Sequence, residues 1–487
     1  MKNHIKPVIF KISHLSICSL FVLTIACLML SCNKDSAEEI IQEFTVTFDA
    51  KGGSPTPSPR KVIAKGLIVQ PTPDPAKVDS VFVGWYTTSN MKFNFVSNPI
   101  SEDLTLHAKW WGGPDKYVFV VAPDWEYSES KVKTLFGSSI GKSVAVGVCP
   151  IFYIFERPAN QLQTELREHL RLSGELEVPV LLQFDAITFM DARPDLWNWW
   201  DISKAGYNPD NKNNVEWTGW SSEDAVKIGW LNWGQQIRLN PMPNLMSPVY
   251  RKAVADDMTN LITIVAQWYQ NLPGDKKYLF GGIKVTGEMW FGVNNWYYPN
   301  GNSYINQDAS LDPHTGISVN DLPSRGVQTI GYAALKTASI KTSGNITGND
   351  IAELSHRHSE ILSKLCADLG IPRNHIFSHA AGSGKDSEAC INQYACPAWS
   401  FYNQNAINPS GFTDALSLLN TSDAPYFGIA EWSIGDSQEP TKWSDAINKG
   451  LSIPRCRFLS VYANVVGSDY YKTDPNMAAV QGIKAAQ

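Results

Sequence analysis

Two glutamates close apolar runs in this chain. Tyr278 to Val285 leads through Thr286-Gly287 into Glu288, and the run from Ala424 to Ala430 leads into Glu431-Trp432. A pair of carboxyl groups can do both jobs that cleavage of a glycosidic bond demands: one gives a proton to the leaving oxygen, the other acts as nucleophile or activates a water. Carboxyls about 5 Å apart would serve retention of configuration, and a gap of about 7 to 9 Å would serve inversion. Just after Glu288 come Trp290, Asn294, Asn295, Trp296 and Tyr297, rings and amides suited to stacking on sugar faces and bonding hydroxyls.

A short apolar run that stops at a carboxylate reads as a buried parallel strand presenting that group at its carboxyl end. Eight strand candidates follow Lys116: Tyr117 to Ala122, Val144 to Phe155, Pro179 to Phe184, Tyr278 to Val285, His375 to Ser378, Ala398 to Tyr402, Tyr426 to Ala430 and Arg457 to Ala463. Helical periodicity separates them at Asn160 to Leu172, Pro248 to Asn271, Arg325 to Ser339, Asp350 to Leu369, Gly411 to Leu419 and Trp443 to Gly450. This alternation predicts an α/β fold, a closed (β/α)8 barrel over 115–480. Glu288 then ends the fourth strand and Glu431 the seventh, and the two face each other over the mouth where the variable loops converge. By the same placement Asp124 and Trp125 follow the first strand and Asp185 ends the third. His379 follows the fifth, Trp399 lies on the sixth, and Trp432 follows the second glutamate; all are candidates for holding or stacking sugar. The insertion from Asp185 to Ser247 carries seven tryptophans, of which two or three are expected in a cleft and the rest in a local core.

Composition narrows the partners. A net charge of −6 with no long basic run argues against nucleic acid. Charged residues make up only 18% of the chain while it holds 17 Trp, 18 Tyr and 20 Phe, a balance that suits an oligo- or polysaccharide ligand. No cofactor is called for. A metal-dependent deacetylase or phosphohydrolase would need a His/Asp cluster that the sequence does not offer, and His356 and His358, two apart on a helix, read as surface residues.

At the start, Lys2, Lys6 and Lys11 precede an apolar stretch from Leu15 to Leu30 that ends in Ser31-Cys32, the pattern of an export signal over 1–32. It resembles a bacterial lipoprotein signal, which implies cleavage before Cys32, lipidation of that thiol and a polar tether over 33–43. The acidic residues after Cys32 resemble surface-export signals of Bacteroides-type lipoproteins. Membrane contact would then run only through the lipid at Cys32, in the cell envelope at the outer membrane; a secreted protein cut nearby or an uncleaved anchor are the other readings. Of eight cysteines, five lie beyond the signal, and Cys390 with Cys396 could clip a loop.

Residues 44–110 alternate with period two between Gly/Pro turns and read as a small strand-rich unit. Val46-Thr47-Phe48-Asp49-Ala50-Lys51-Gly52-Gly53, Phe82-Val83-Gly84-Trp85-Tyr86 and Leu104-Thr105-Leu106-His107-Ala108-Lys109-Trp110 resemble the Listeria-Bacteroides (internalin B-type) repeat. That resemblance implies a β-grasp-like spacer or adhesion module without chemistry of its own. The competing reading is a carbohydrate-binding module with Trp85 and Trp110 as platforms.

The barrel resembles the retaining (β/α)8 glycoside hydrolases whose acid/base Glu ends the fourth strand and whose nucleophile Glu ends the seventh. This implies Glu288 as acid/base and Glu431 as nucleophile of an exported hydrolase acting on a complex glycan. One departure stands out. Those enzymes usually carry Asn before the acid/base to hold the 2-hydroxyl, and here the residue is Gly287, leaving Thr286, Asn294 or Asn295 to make that contact. The alternative is a non-catalytic surface glycan binder on a degenerate barrel.

Overall fold

The computed structural model describes residues 42–227, 229–232, 236–288, 295–297, 328–381, 384–435, 437–462 and 477–487. The signal, Cys32 and nearly all of the tether lie outside them.

The first unit is a four-stranded sheet of β1 (Glu43–Asp49), β2 (Arg60–Ile63), β3 (Val81–Tyr86) and β4 (Leu104–Trp111), ordered β2-β1-β4-β3. The central pair, β1 and β4, runs parallel and both edges pair antiparallel. Period-two alternation sends Val46, Phe48, Leu106 and Ala108 to one face, where Trp85 packs edge-on to Phe48 at 5.0 Å. Trp85 is 1% exposed and Trp110 donates its Nε1 to the Ala50 carbonyl, so both rings are spent on the module's own packing and neither is a free sugar platform.

The second unit is a closed barrel of eight parallel strands: β5 (Lys116–Pro123), β6 (Val144–Tyr153), β7 (Val180–Asp185), then, after two short strands of an insertion, β8 (Gly229–Asn232) and β9 (Gln236–Leu239), β10 (Phe280–Val285). It continues, past β11 (Asn295–Tyr297) and β12 (Gln328–Thr329), with β13 (Ile376–Ala380), β14 (Cys396–Tyr402), β15 (Phe427–Ser433) and β16 (Cys456–Val461). The closed order is β10-β13-β14-β15-β16-β5-β6-β7, the (β/α)8 arrangement expected from the eight apolar runs. The principal helices of the outer layer are α1 (Glu129–Phe136), α2 (Ala159–Leu176), α3 (Pro248–Asn271), α4 (Gly348–Asp368), α5 (Thr413–Thr421), α6 (Pro440–Ser452) and α7 (Ala478–Ala486). Ser247 caps α3 through its side chain and Pro248 takes the first helical position, which fixes that start at the residue expected. His358 departs from expectation: it lies on the inward side of α4 and is 3% exposed.

Alternation along each strand divides the core in two. Val118, Val148, Leu182, Ile283 and Leu459 point out to the helices, and Tyr117, Phe119, Leu181, Phe377 and Phe458 fill the lumen. Two phenylalanines plug its lower part because glycines make room for them. A Cβ on Gly281 would come within 2.3 Å of the Phe119 ring, and one on Gly428 within 2.3 Å of the Phe458 ring. The module docks at this floor. Trp111 meets Tyr278 at 4.8 Å and donates Nε1 to the Lys142 carbonyl, and Val81, Val83, Ile140 and Leu272 pack around them. Tyr278 and Lys142 both lie just before strands, at the end of the barrel opposite the mouth.

The insertions after β7 and β10 are joined by a second sheet, β12-β11-β8-β9. In the first insertion Trp200 packs on Trp197 at 5.4 Å and on Trp199 at 5.8 Å, and Trp217 is buried. Trp220 packs on Tyr332, while Trp233 lies outside the described residues. A buried carboxyl ties the two insertions together: Glu216 accepts the backbone N–H groups of Gly331, Ala333 and Ala334 at 3.0 to 3.1 Å, where a short helix begins, and burial pushes it up to about 8. Glu216→Ala leaves those donors buried and unpaired and is expected to cost about 3 kcal/mol. Glu216→Gln, which keeps an acceptor oxygen, is expected to cost less. Urea unfolding with an unchanged midpoint for the alanine variant would contradict this.

Cys390 and Cys396 are both free thiols, turned to the carbonyls of Ser387 and Arg373 rather than to each other.

Candidate active site

Strict alternation on β15 would aim Glu431 at the helices, because Phe427 and Ile429 face outward and Ala430 faces the lumen. The pairing shows why it does not. On β14, Trp399 pairs with Ile429 and the next residue, Ser400, pairs with Glu431; on the other side, Ile429 pairs with Leu459 and Trp432 with Val461, so Ala430 and Glu431 together oppose Ser460. Ala430 is therefore the extra residue of a β-bulge, a device that re-aims the side chain after it. Glu431 turns to the mouth, 8% exposed, and Trp432 turns outward.

Glu288 reaches the same mouth from β10. Thr286, just past the end of the strand, has φ at 69°, the left-handed region that a β-branched residue rarely enters, and backbone strain of this kind gathers at functional sites. Gly287 follows because there is no room for more: a Cβ there would lie 2.4 Å from Asp185 Oδ2. The amide that would precede an acid/base glutamate is thus excluded by Asp185. Nor is Thr286 free to replace it, since its hydroxyl is buried and donates to the His379 carbonyl at 3.4 Å.

The two carboxyls feel each other. Burial pushes the Glu288 carboxyl up to about 8, the charge of Glu431 adds to the rise, and the Ser400 hydroxyl and the Lys284 ammonium oppose it. Ser400, the register partner of Glu431, bonds Glu288, so one position on β14 touches both sides of the pair. Behind Ser400 stands His379, fully buried, its Nε2 2.9 Å from the hydroxyl oxygen and its Nδ1 without a partner. Burial holds this imidazole neutral. With its proton assigned to Nε2, the ring donates to Ser400 Oγ and leaves the hydroxyl hydrogen for Glu288.

Two residues on from Ser400, on the same face of β14, the Tyr402 hydroxyl donates to Glu431 Oε2. Burial, and after it the charges of Glu431 and Glu288, keep the proton on this phenol. Tyr153 at the end of β6 and Tyr462 just after β16 complete the ring, each held protonated first by burial and then by nearby carboxylates. Lys284 lies below the pair in the lumen.

The predicted sugar-binding residues divide sharply. Trp399 and Trp432 require correction: both are 0% exposed and point into the helical layer, Trp399 donating to the Ser387 carbonyl and Trp432 packing on Trp443 at 5.6 Å. They sit one residue out of phase with the side chains that line the mouth. Asp124 is also corrected, since it is spent on a buried ion pair with Arg157, which in turn holds Glu165 at 2.8 Å. Asp185 faces the lumen but closes a turn, accepting the N–H groups of Ile187 and Thr188 and the Thr188 hydroxyl. Trp125 is 53% exposed beside the end of β5, with the Arg157 guanidinium 5.0 Å from its ring. Trp290 and Asn294 lie outside the described residues, and Asn295 is described only in its backbone, on β11. Sequence reasoning missed Ser400, Tyr402, Tyr153, Tyr462 and Lys284.

Residues 44–109 match the Listeria-Bacteroides repeat domain. This module is the strand-rich first unit. No curated protein matches the chain. Among solved structures, GH26A from a Muricauda species aligns with a TM-score of 0.37 at 12% identity, over 75% of this chain and 88% of its own. The family 5 glycoside hydrolase PbGH5A from Prevotella bryantii, solved as a mutant with a xyloglucan tetradecasaccharide, aligns at 0.37 and 9%, over 77% and 88%. The catalytic domain of β-amylase from Paenibacillus polymyxa aligns at 0.38 and 9%, over 76% and 98%. The closed barrel itself is established by the strand pairing.

Proposed function

We propose that this chain is an exported glycoside hydrolase that cleaves O-glycosidic bonds of a glycan by a retaining mechanism, with Glu288 as acid/base and Glu431 as nucleophile. The observation that carries this reading is the unequal treatment of two carboxyls in one mouth. Glu288 is half-buried, close enough to Glu431 to feel its charge, and pushed up to about 8 by the loss of solvent around it. Glu431 is held by a phenol that donates to it. A carboxyl raised by burial suits the acid, and one gripped by a donor suits the nucleophile.

In the first step Glu431 attacks the anomeric carbon while Glu288 gives its proton to the leaving glycosidic oxygen, forming a glycosyl-enzyme ester and releasing the aglycone alcohol. In the second, Glu288 takes a proton from water, whose oxygen replaces Glu431 on that carbon, and the sugar leaves with its original configuration. Ser400, backed by His379, stabilises Glu288 once it has lost its proton, and Tyr402 holds the attacking oxygens of Glu431 in line. The substrate is an oligo- or polysaccharide, and the export-signal pattern over 1–32 supports a place in the cell envelope with lipid at Cys32.

Proton NMR of the first sugar released decides the mechanism. The newly formed reducing end is expected to show the anomer of the bond cut, mutarotating only later. An initial product of opposite configuration would replace the nucleophile with a water activated by Glu431, and a wild-type chain inactive on a broad panel of aryl glycosides and polysaccharides would reject the hydrolase.

A further inference from the structure

Lys284 has no role in the chemistry above, yet its placement is costly. It points from β10 into the lumen, is 0% exposed, and stands in a run of otherwise apolar residues and glycines. Among the described residues no carboxylate oxygen lies within ion-pair distance of it. Among the described residues it makes one hydrogen bond, from Nζ to the Ala430 carbonyl at 2.8 Å. A buried ammonium without a direct counter-ion is expensive and persists where its surroundings compensate it.

Both halves of that compensation point at the catalytic pair. Ala430 is the extra residue of the bulge, and its carbonyl belongs to the peptide that leads into Glu431. The titratable groups around the ammonium are Glu288, Glu431, Cys149 from β6 and His379 from β13. Its charge acts on Glu288, Cys149 and His379, and the two neutral ones cannot balance it. A retaining pair ready to act carries one proton and one negative charge, which one ammonium cancels.

We infer that Lys284 is a positioning residue, which pins the bulge that aims Glu431 into the mouth and supplies the fixed positive charge that lets the glutamate pair hold one proton and one negative charge. The inference rests on the hydrolase reading above for its kinetic consequence, though not for its electrostatic one.

Three forms of the full mature protein test it: wild type, Lys284→Met, which removes both donor and charge at similar volume, and Lys284→Gln, which keeps an N–H donor without the charge. Carbon-13 NMR of labelled glutamate carboxyls follows Glu288 with no substrate present. Its titration is expected to move up by about one pH unit or more in both variants, since each loses an opposite charge nearby. On an aryl glycoside kcat is expected to fall about 10²-fold in Lys284→Met with KM little changed, and less in Lys284→Gln, because a shifted nucleophile costs rate more than binding. A folded variant with wild-type kcat and an unmoved Glu288 titration overturns the inference. Loss of fold in both variants, by circular dichroism, also overturns it, since the lysine would then serve the barrel and not the pair. Because the titration needs no turnover, an inactive wild type would sink the hydrolase and leave this result to stand or fall separately.

Discussion

Glu431→Ala is expected to lower kcat on every substrate by on the order of 10⁴-fold or more, the scale on which removing one member of a jointly acting unit is felt. The variant leaves the Tyr402 hydroxyl without its carboxylate partner and removes the atom that would bond to the anomeric carbon. Added azide should restore part of the rate by attacking from the vacated side, giving a glycosyl azide of inverted configuration. The same change should be visible without substrate: Glu288 loses the like charge that helps to raise it, so its titration moves down toward the ordinary carboxylate range, held above it by burial. Activity retained in Glu431→Ala would reject the nucleophile assignment.

Glu288→Ala should separate substrates by leaving group. Bonds to sugar alcohols need the proton and are expected to slow by about 10²- to 10⁴-fold, whereas bonds to acidic phenols leave unaided and are spared in the first step. With such phenols the glycosyl-enzyme should accumulate, and azide should release it as a glycosyl azide of retained configuration. The pH profile carries the sign. Wild-type kcat/KM depends on the protonated form of Glu288, so its alkaline limb should fall tenfold per unit above about 8. In Glu288→Ala that alkaline limb should vanish. A limb that survives the substitution would assign the titration to another group, and equal losses on phenols and sugars would mean that Glu288 is not the acid.

The barrel was legible because its strands are short apolar runs separated by helical periodicity, and neither feature depends on which face a residue takes. The mouth was harder for that very reason. Glu288 and Glu431 could be picked out as carboxylates that end apolar runs, whereas the facing of Trp432 turns on parity, which a single bulge at Ala430 reverses. On β14 the signal was present: Ser400 and Tyr402 share one face by their spacing and Trp399 must take the other. A lysine in the middle of a buried strand was likewise a visible anomaly. Asp124 and Asp185 were misjudged because an aspartate at a strand end suits a turn or an ion pair as well as a ligand, and only the partners, Arg157 for one and Thr188 for the other, decide between them. The exclusion of a side chain at residue 287 has no trace in the local sequence, since it depends on Asp185 arriving from a neighbouring strand.

The module is seated on the barrel's closed end through Trp111 and Tyr278, and the chain passes through it before entering the first barrel strand. On the anchoring proposed above, the module stands between the lipid at Cys32 and the barrel, and the mouth that holds Glu288 and Glu431 looks the other way. A hydrolase mounted so would graze outward, on polymers arriving from the surroundings.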